Sequence, residues 1–351
     1  MKRITGFVII LIILFGLSGC GVLTMYSDKN PSGKVLYNGM EREEDGAVGV
    51  MAAAFMEATE KPPDFPTVET VLYYQNDNGY LIPVRRSILK QDNIERASII
   101  ALINYPITQN EIRGYGLYPV LPQDLKVLSL TIKNSIAHLD LNDVFLNPLS
   151  KNQEQNMVVS IVYTLTSFDT VSGVSITVNG SKVKTMPYET DISGVLTRKN
   201  VMIYADQTIV TQGYAKFDSY MWIKDEHNNK WCIPISKQVE VMTVEDQAYM
   251  IFDSMNNLAE SFETALPVNA RLEECKYSAN TVILDFNSNL LNYSGLEKEM
   301  EMISQIYLAA KQIDGVENVI LRCEGKKVKL KEGTDISSGL FLADHVNRID
   351  R

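Results

Sequence analysis

β-Branched and aromatic residues crowd Val68 to Tyr74, a polar break follows at Asn76-Asp77-Asn78-Gly79, and the pattern resumes over Tyr80 to Ile88. An Asn-Gly step between two such runs predicts a hairpin, because the left-handed backbone of its turn suits those residues. Ile94, Ala97, Ile100, Ala101 and Asn104 then recur at helical spacing. Asn93 stands where an N-cap belongs, and Glu95 lies beside the positive end of the helix dipole. Lys126 to Lys133 and Ala137 to Asn142 read as two strands joined near Asn134-Ser135. Alternation puts Ala137, Leu139 and Leu141 on a core face, with His138 and Asp140 on the opposite face. Val158, Ile161, Val162 and Leu165 mark a longer helix. Val174 to Val178 is the closing strand, and a glycine turn leads to Lys182-Val183-Lys184.

The same order then returns. Tyr220 to Lys224 and Trp231 to Ile235 flank the turn Asp225 to Asn229, and Thr243 caps a helix over Val244 to Asn256 with Glu245 and Asp246 in its first turn. Arg271 to Tyr277 and Thr281 to Asn287 form the strand pair, with Val282, Leu284 and Phe286 facing the core and Ile283 and Asp285 away from it. Leu296, Met300, Ile303, Tyr307 and Ala310 mark the long helix, and Asn318 to Cys323 the last strand before Lys327-Val328-Lys329. The pattern predicts an α+β fold: two tandem copies of a small module, a sheet with two helices on one face.

The repeat is also visible residue by residue. Leu121 to Asn147 lies over Leu266 to Asn292 without a gap at an offset of 266 − 121 = 145. Leu121, Pro122, Leu139, Asp140, Asn142, Leu146 and Asn147 meet identical residues there, as do Gly180, Lys182, Val183 and Lys184 at Gly325 to Lys329. Thr190-Asp191-Ile192-Ser193 meets Thr334-Asp335-Ile336-Ser337 after one deletion. Each copy exceeds the ~20–50 residues of a solenoid unit and is long enough for its own core. The expected domains are 67–200 and 201–344.

Ahead of them, Lys2 and Arg3 precede an apolar run from Phe7 to Leu17 and the tetrad Leu17-Ser18-Gly19-Cys20. A charged start with a short apolar stretch predicts a secretory signal over 1–19, since a spanning helix needs about 20 apolar residues. The tetrad is similar to a bacterial lipobox, which makes Cys20 the expected lipidation site, with fatty acyl chains of the palmitate type. Two buried chains at ~0.8 kcal/mol per methylene would hold the protein at the extracytoplasmic face of the membrane. Residues 20–66, with Asn30-Pro31-Ser32-Gly33, acids from Glu41 to Asp45 and Lys61-Pro62-Pro63, read as a tether. The formal charge is −10, and −10 − 2 = −12 without Lys2 and Arg3, which argues against a nucleic-acid partner.

The candidate chemistry is sparse. Asp140 and Asp285 recur, but with no second recurring carboxylate or histidine beside them; a bond to backbone N–H groups of a nearby turn is the expected role. His138, His227 and His345 have no counterparts in the other copy and no metal-ligand spacing, so no metal is expected. There is no G-x-S-x-G, no phosphate loop and no cofactor signature. Cys232, Cys275 and Cys323 replace Leu81, Leu130 and Val178 and so read as buried hydrophobes, with a Cys275–Cys323 disulfide as the alternative. Lys182, Lys184, Lys327 and Lys329 read as edge-strand lysines that block sheet association, or as a rim for an acidic partner or wall polymer.

Leu121-Pro122, Leu139-Asp140-Leu141-Asn142, Gly180-Ser181-Lys182-Val183 and Asp191-Ile192-Ser193, each with its second copy behind a lipobox, resemble the GerMN-domain lipoproteins of the GerM type in spore-forming bacteria. The resemblance implies ring-building-like modules and assembly in the envelope rather than catalysis, and it brings no catalytic residues. The expected function is a non-enzymatic, lipid-anchored scaffold in sporulation and germination, with envelope or sporulation-complex proteins, or peptidoglycan, as partners. The alternative, an accessory wall-binding or wall-remodelling subunit, predicts a cleft lined by polar side chains from both modules.

Overall fold

The computed structural model describes residues 66–205, 207–240, 243–256, 261–339 and 346–349. The signal segment, Cys20, the tether and His345 lie outside them. In the first module β1 (Thr67–Asn76) and β2 (Leu81–Leu89) form the expected antiparallel hairpin, followed by α1 (Ile94–Ile100). The Asn93 side chain caps α1 by accepting from Arg96 N at 2.9 Å. A further helix that the periodicity did not reveal, α2 (Pro106–Ile112), comes next, with proline at its first position, where the missing N–H costs nothing. β3 (Leu117–Tyr118) then returns to pair with β1.

The strand pair of Leu121–Asn147 is β4 (Val127–Lys133) and β5 (Ile136–Leu141), and α3 (Lys151–Leu165) crosses over to β6 (Gly173–Val178) and the short β7 (Ser181–Lys182). A crossover helix permits parallel pairing, and β5 and β6 are parallel in a sheet of order β4-β5-β6-β7. The second module repeats this with β8 (Tyr214–Lys224), β9 (Lys230–Glu240), α4 (Val244–Asn256), β10 (Leu272–Ser278), β11 (Thr281–Phe286), α5 (Leu296–Lys311), β12 (Asn318–Cys323) and β13 (Lys326–Lys327). Each module thus holds two sheets, the hairpin and the four-stranded mixed sheet, where one sheet was expected. The core face is as read: Ala137, Leu139, Leu141, Val282, Leu284 and Phe286 are buried.

The same backbone groups are satisfied in the same way in both copies. In the long helices Ser160 Oγ donates to Tyr73 O (2.7 Å), and Gln305, at 305 − 160 = 145, donates to Tyr220 O (2.6 Å). Tyr73 and Tyr220 each stand opposite a hairpin proline, Pro83 and Pro234. In the turns, Asn142 accepts from Lys126 N and donates to Asp124 O, both at 3.0 Å, while Asn287 accepts from Arg271 N (3.2 Å) and donates to Asn269 O (3.0 Å). Glu154 and Glu299, also 299 − 154 = 145 apart, are fully buried acids in the first turns of α3 and α5. Glu154 accepts from Tyr188 N (2.7 Å) and Thr190 N (3.1 Å); Glu299 accepts from Glu332 N (2.8 Å), Thr334 N (3.0 Å) and the hydroxyls of Thr334 and Tyr293 (2.5 Å each). Each acid ties down the loop that carries the Thr-Asp-Ile-Ser repeat, and its charge lies at the favourable end of the helix dipole.

The two modules share a wall. β9 is buried almost continuously from Trp231 to Pro234, because it is covered on both faces: Trp231 and Ile233 enter the first core, and Cys232 the second. Beside this wall Lys216 Nζ bonds Asp218 (2.7 Å) and Tyr163 OH of α3 (2.6 Å), and Ser236 completes the buried network by donating to Asp218 at 2.5 Å. The outer edges of β2 and β9 are closed by the tail. Asn347 donates to Pro83 O (2.8 Å) and Cys232 O (2.6 Å) and accepts from Cys232 N (2.8 Å), while its backbone carbonyl accepts from Arg85 N (3.1 Å).

Two outcomes follow for stability. Asn347 has a left-handed backbone (φ 53), so Asn347→Gly removes the clamp without adding strain and is expected to cost ~2–4 kcal/mol through the carbonyls and N–H left unpaired. Urea denaturation of wild type and variant checks this. Burial works to raise the Glu299 carboxyl, but the bonds from Thr334, Tyr293 and two backbone N–H groups outweigh it and hold its pKa below the usual 4.5. A depressed folded pKa means stability that is fully present above pH ~4.5 and lost as pH falls through the folded value. Thermal melts between about pH 6 and 3 should therefore show wild type losing stability, with Glu299→Gln lower by ~2–3 kcal/mol at neutral pH and lacking that part of the decline.

Candidate functional site

The recurring aspartates are positioned by the parallel strand pair. Asp140, opposite Thr177 on β6, accepts from Thr177 Oγ1 (2.7 Å) and from Gly180 N (2.8 Å); Asp285 accepts from Gly325 N (3.1 Å). Gly180 and Gly325 follow Asn179 and Glu324, and all four have positive φ, the conformation of a type I′ hairpin turn. Each carboxylate thus braces the turn after the closing strand. The expected backbone bond is present, but its partner is a glycine 40 residues away rather than the adjacent turn. Glu154 and Glu299 are a further recurring pair of carboxylates, and they bond different groups from those that Asp140 and Asp285 bond. Their signal was the constant offset of 145 just before the apolar run of each long helix, and their oxygens are likewise committed to backbone N–H groups.

The other candidates resolve as follows. Asp191 accepts from the backbone N–H (2.9 Å) and hydroxyl (2.6 Å) of Ser193, and Asp335 from Ser337 N (2.8 Å), so Thr-Asp-Ile-Ser is a polar turn; these bonds hold both carboxyls below the usual range. His138 is exposed on β5, and exposed His227 lies 3.7 Å from Asp77 Oδ2. Among the described residues no group of three or more His, Cys, Asp or Glu could hold a metal ion. Cys232, Cys275 and Cys323 are free thiols. Cys275 on β10 and Cys323 on β12 are separated by β11, about 10 Å apart at ~4.8 Å per strand, beyond the reach of a disulfide. Cys232 and Cys275 are buried, as replacements of aliphatic residues should be, and burial pushes the Cys275 thiol up to about 12. Lys182 and Lys327 sit on the short strands β7 and β13, with Lys184 and Lys329 just beyond them. Among the described residues no helix is long and apolar enough to cross a membrane.

A groove of about 760 Å³ opens where the modules meet. Asn152, Gln155 and Asn156 of α3 form one wall; Tyr204 and Gln207 of the connecting segment, with Lys237 and Gln238 of β9, form the other. It is the polar cleft between modules that the wall-binding alternative expects. Its described side chains offer hydrogen-bond donors and acceptors, an arrangement suited to holding a ligand.

Comparison with known proteins agrees with this geometry. The chain is 25% identical over 355 aligned positions, covering 94% of each protein, to the spore germination protein GerM of Bacillus subtilis (strain 168). Its fold matches the solved tandem GerMN domains of the B. subtilis sporulation protein GerM with a TM-score of 0.65 at 24% identity, over 76% of this chain and 95% of that one. The family model Germane, described as sporulation and spore germination, matches residues 71–184 and again 221–329. With both copies of the module matched and most of the chain covered, the protein belongs to the Germane family and is a GerM-like protein with tandem GerMN domains.

Proposed function

We propose that this protein is a non-enzymatic, lipid-anchored scaffold of the cell envelope that acts in sporulation and spore germination. The observation that carries the reading is the fate of the duplicated polar residues. Asp140, Asn142, Glu154 and Asp191, with their second copies, are all engaged by groups of their own module, most of them backbone N–H groups. A catalytic constellation conserved through duplication would leave such groups free to meet a substrate. The family description and the name of the B. subtilis relative support the sporulation setting. Cys20 behind its apolar run supports an anchor on the extracytoplasmic face, with the two modules presented to envelope or sporulation-complex proteins.

Affinity capture of the full-length protein from sporulating cells should recover envelope membrane proteins, and Cys20→Ala should release the protein from the membrane fraction and reduce that recovery. Recovery of metabolic or transport proteins alone would sink the proposal. Incubated with purified peptidoglycan, the protein should release no fragments. Asp140→Asn should lower stability by ~1–2 kcal/mol through the weakened brace on Gly180 N; hydrolysis by wild type that Asp140→Asn abolishes would make the protein an enzyme instead.

A further inference from the structure

The groove between α3 and β9 differs in chemistry from the rest of the molecule. Its described lining includes five carboxamides, Asn152, Gln155, Asn156, Gln207 and Gln238, beside one cation, Lys237. Its polar atoms come mainly from carboxamides. A carboxamide places N–H donors and a carbonyl acceptor side by side, as a sugar hydroxyl or an acetamido group also does.

Two of these amides are held in fixed orientations. Asn156 is 8% exposed and donates to Gln75 Oε1 (3.2 Å) and Gly79 O (3.0 Å), which leaves Oδ1 without a partner among the described residues. On the opposite wall Gln238 Oε1 accepts from Thr211 N (3.1 Å) and Gln207 Nε2 (2.7 Å), which leaves its own N–H groups unused. An anchored acceptor and an anchored donor therefore stand on facing walls.

Tyr204 supplies a different kind of surface. It is 45% exposed, and its backbone is left-handed (φ 53), a conformation that a bulky residue rarely takes and that tends to persist where function holds it. Its ring rests on Tyr80 (4.3 Å between centroids) and Phe262 (5.9 Å), which brace it as a flat apolar platform.

The geometry points to this groove as a binding site for a short N-acetylated glycan, with Tyr204 stacking on a sugar face and Asn156 Oδ1 and the Gln238 amide taking its hydroxyl and acetamido groups. The volume of about 760 Å³ lies within the ~300–1,000 Å³ of small-ligand sites. The site needs no protein partner, so it stands or falls separately from the scaffold reading.

Calorimetric titration of the full-length protein with tetra-N-acetylchitotetraose, with maltotetraose as the control lacking acetamido groups, tests the assignment. Wild type should bind the acetylated probe with a Kd of about 1 mM or tighter and the control at least about tenfold more weakly, a ratio worth ~1.4 kcal/mol. Tyr204→Gly removes the platform while glycine accepts the positive φ, so the variant should still fold, with a modestly lower melting temperature from the lost contacts with Tyr80 and Phe262, as binding falls by about tenfold or more. Gln238→Glu keeps the acceptor for Thr211 and Gln207 but removes the free donor, and should weaken binding similarly. No binding up to about 10 mM, equal binding of both sugars, or unchanged affinity in both variants would each overturn the assignment.

Discussion

The structure depends on the β8–β9 hairpin being buried on both faces. A half-buried hairpin would need only one apolar face, but Trp231 and Ile233 face one core while Cys232 faces the other, so neither module can lose contact with this hairpin without exposing its interior to water. Removing the hairpin from water also isolates polar groups. Lys216 and Asp218 of β8 lie together within it, and burial lowers the Lys216 ammonium against the opposing pull of Asp218. A buried pair repays its desolvation only when its remaining bonds are made. Here Tyr163 OH from the first module and Ser236 from the second make them, so the electrostatics favour the packed arrangement of both modules together.

The same constraint explains what duplication preserved. An α+β module of this size has loops whose N–H groups cannot all pair within a sheet, and each copy answers with side chains far away in sequence. Glu154 and Glu299 reach loops 33 to 36 residues on, and Asp140 and Asp285 reach a glycine 40 residues on. Where residue type changed, the bond remained: Ser160 and Gln305 differ in length and chemistry, yet both meet the carbonyl of the tyrosine opposite the hairpin proline. Selection on the fold is thus recorded in which backbone atom is satisfied more faithfully than in which residue satisfies it.

Much of this was legible in the sequence, and the gaps have physical causes. The hairpins, long helices and core faces are set by local periodicity, and Ala137, Leu139 and Leu141 show it plainly. The division into two sheets and the parallel β5–β6 pair were not legible, because pairing is a long-range choice among strands whose patterns look alike. α2 was hidden because Pro106 to Ile112 is too short for a periodic signal. Asn347 was invisible for another reason: a single polar residue in a tail has no pattern, and its four bonds to β2 and β9 exist only once both modules are in place. The groove was beyond reach in the same way, since its walls join α3 to residues as distant in sequence as Tyr204 and Gln238.

Fixing two copies in one arrangement creates surfaces that neither copy has alone, and the groove is where the copies have diverged most in kind. At the offset of 145 the α3 residues Asn152, Gln155 and Asn156 meet Glu297, Met300 and Glu301 on α5. Glu301 is neutralised by Lys230 (2.5 Å) and Lys298 (3.0 Å), and those bonds hold its carboxyl below the usual range against the burial that would raise it. So one long helix spends this face on ion pairs with its own module's hairpin and a neighbouring turn of itself, while the other keeps uncharged amides facing a second module. Asn156 still holds its own hairpin through Gln75 and Gly79, but as an amide rather than an ion-paired acid it keeps its carbonyl oxygen for a ligand. That places the proposed ligand site of this duplicated fold at the seam, not at the repeated motif.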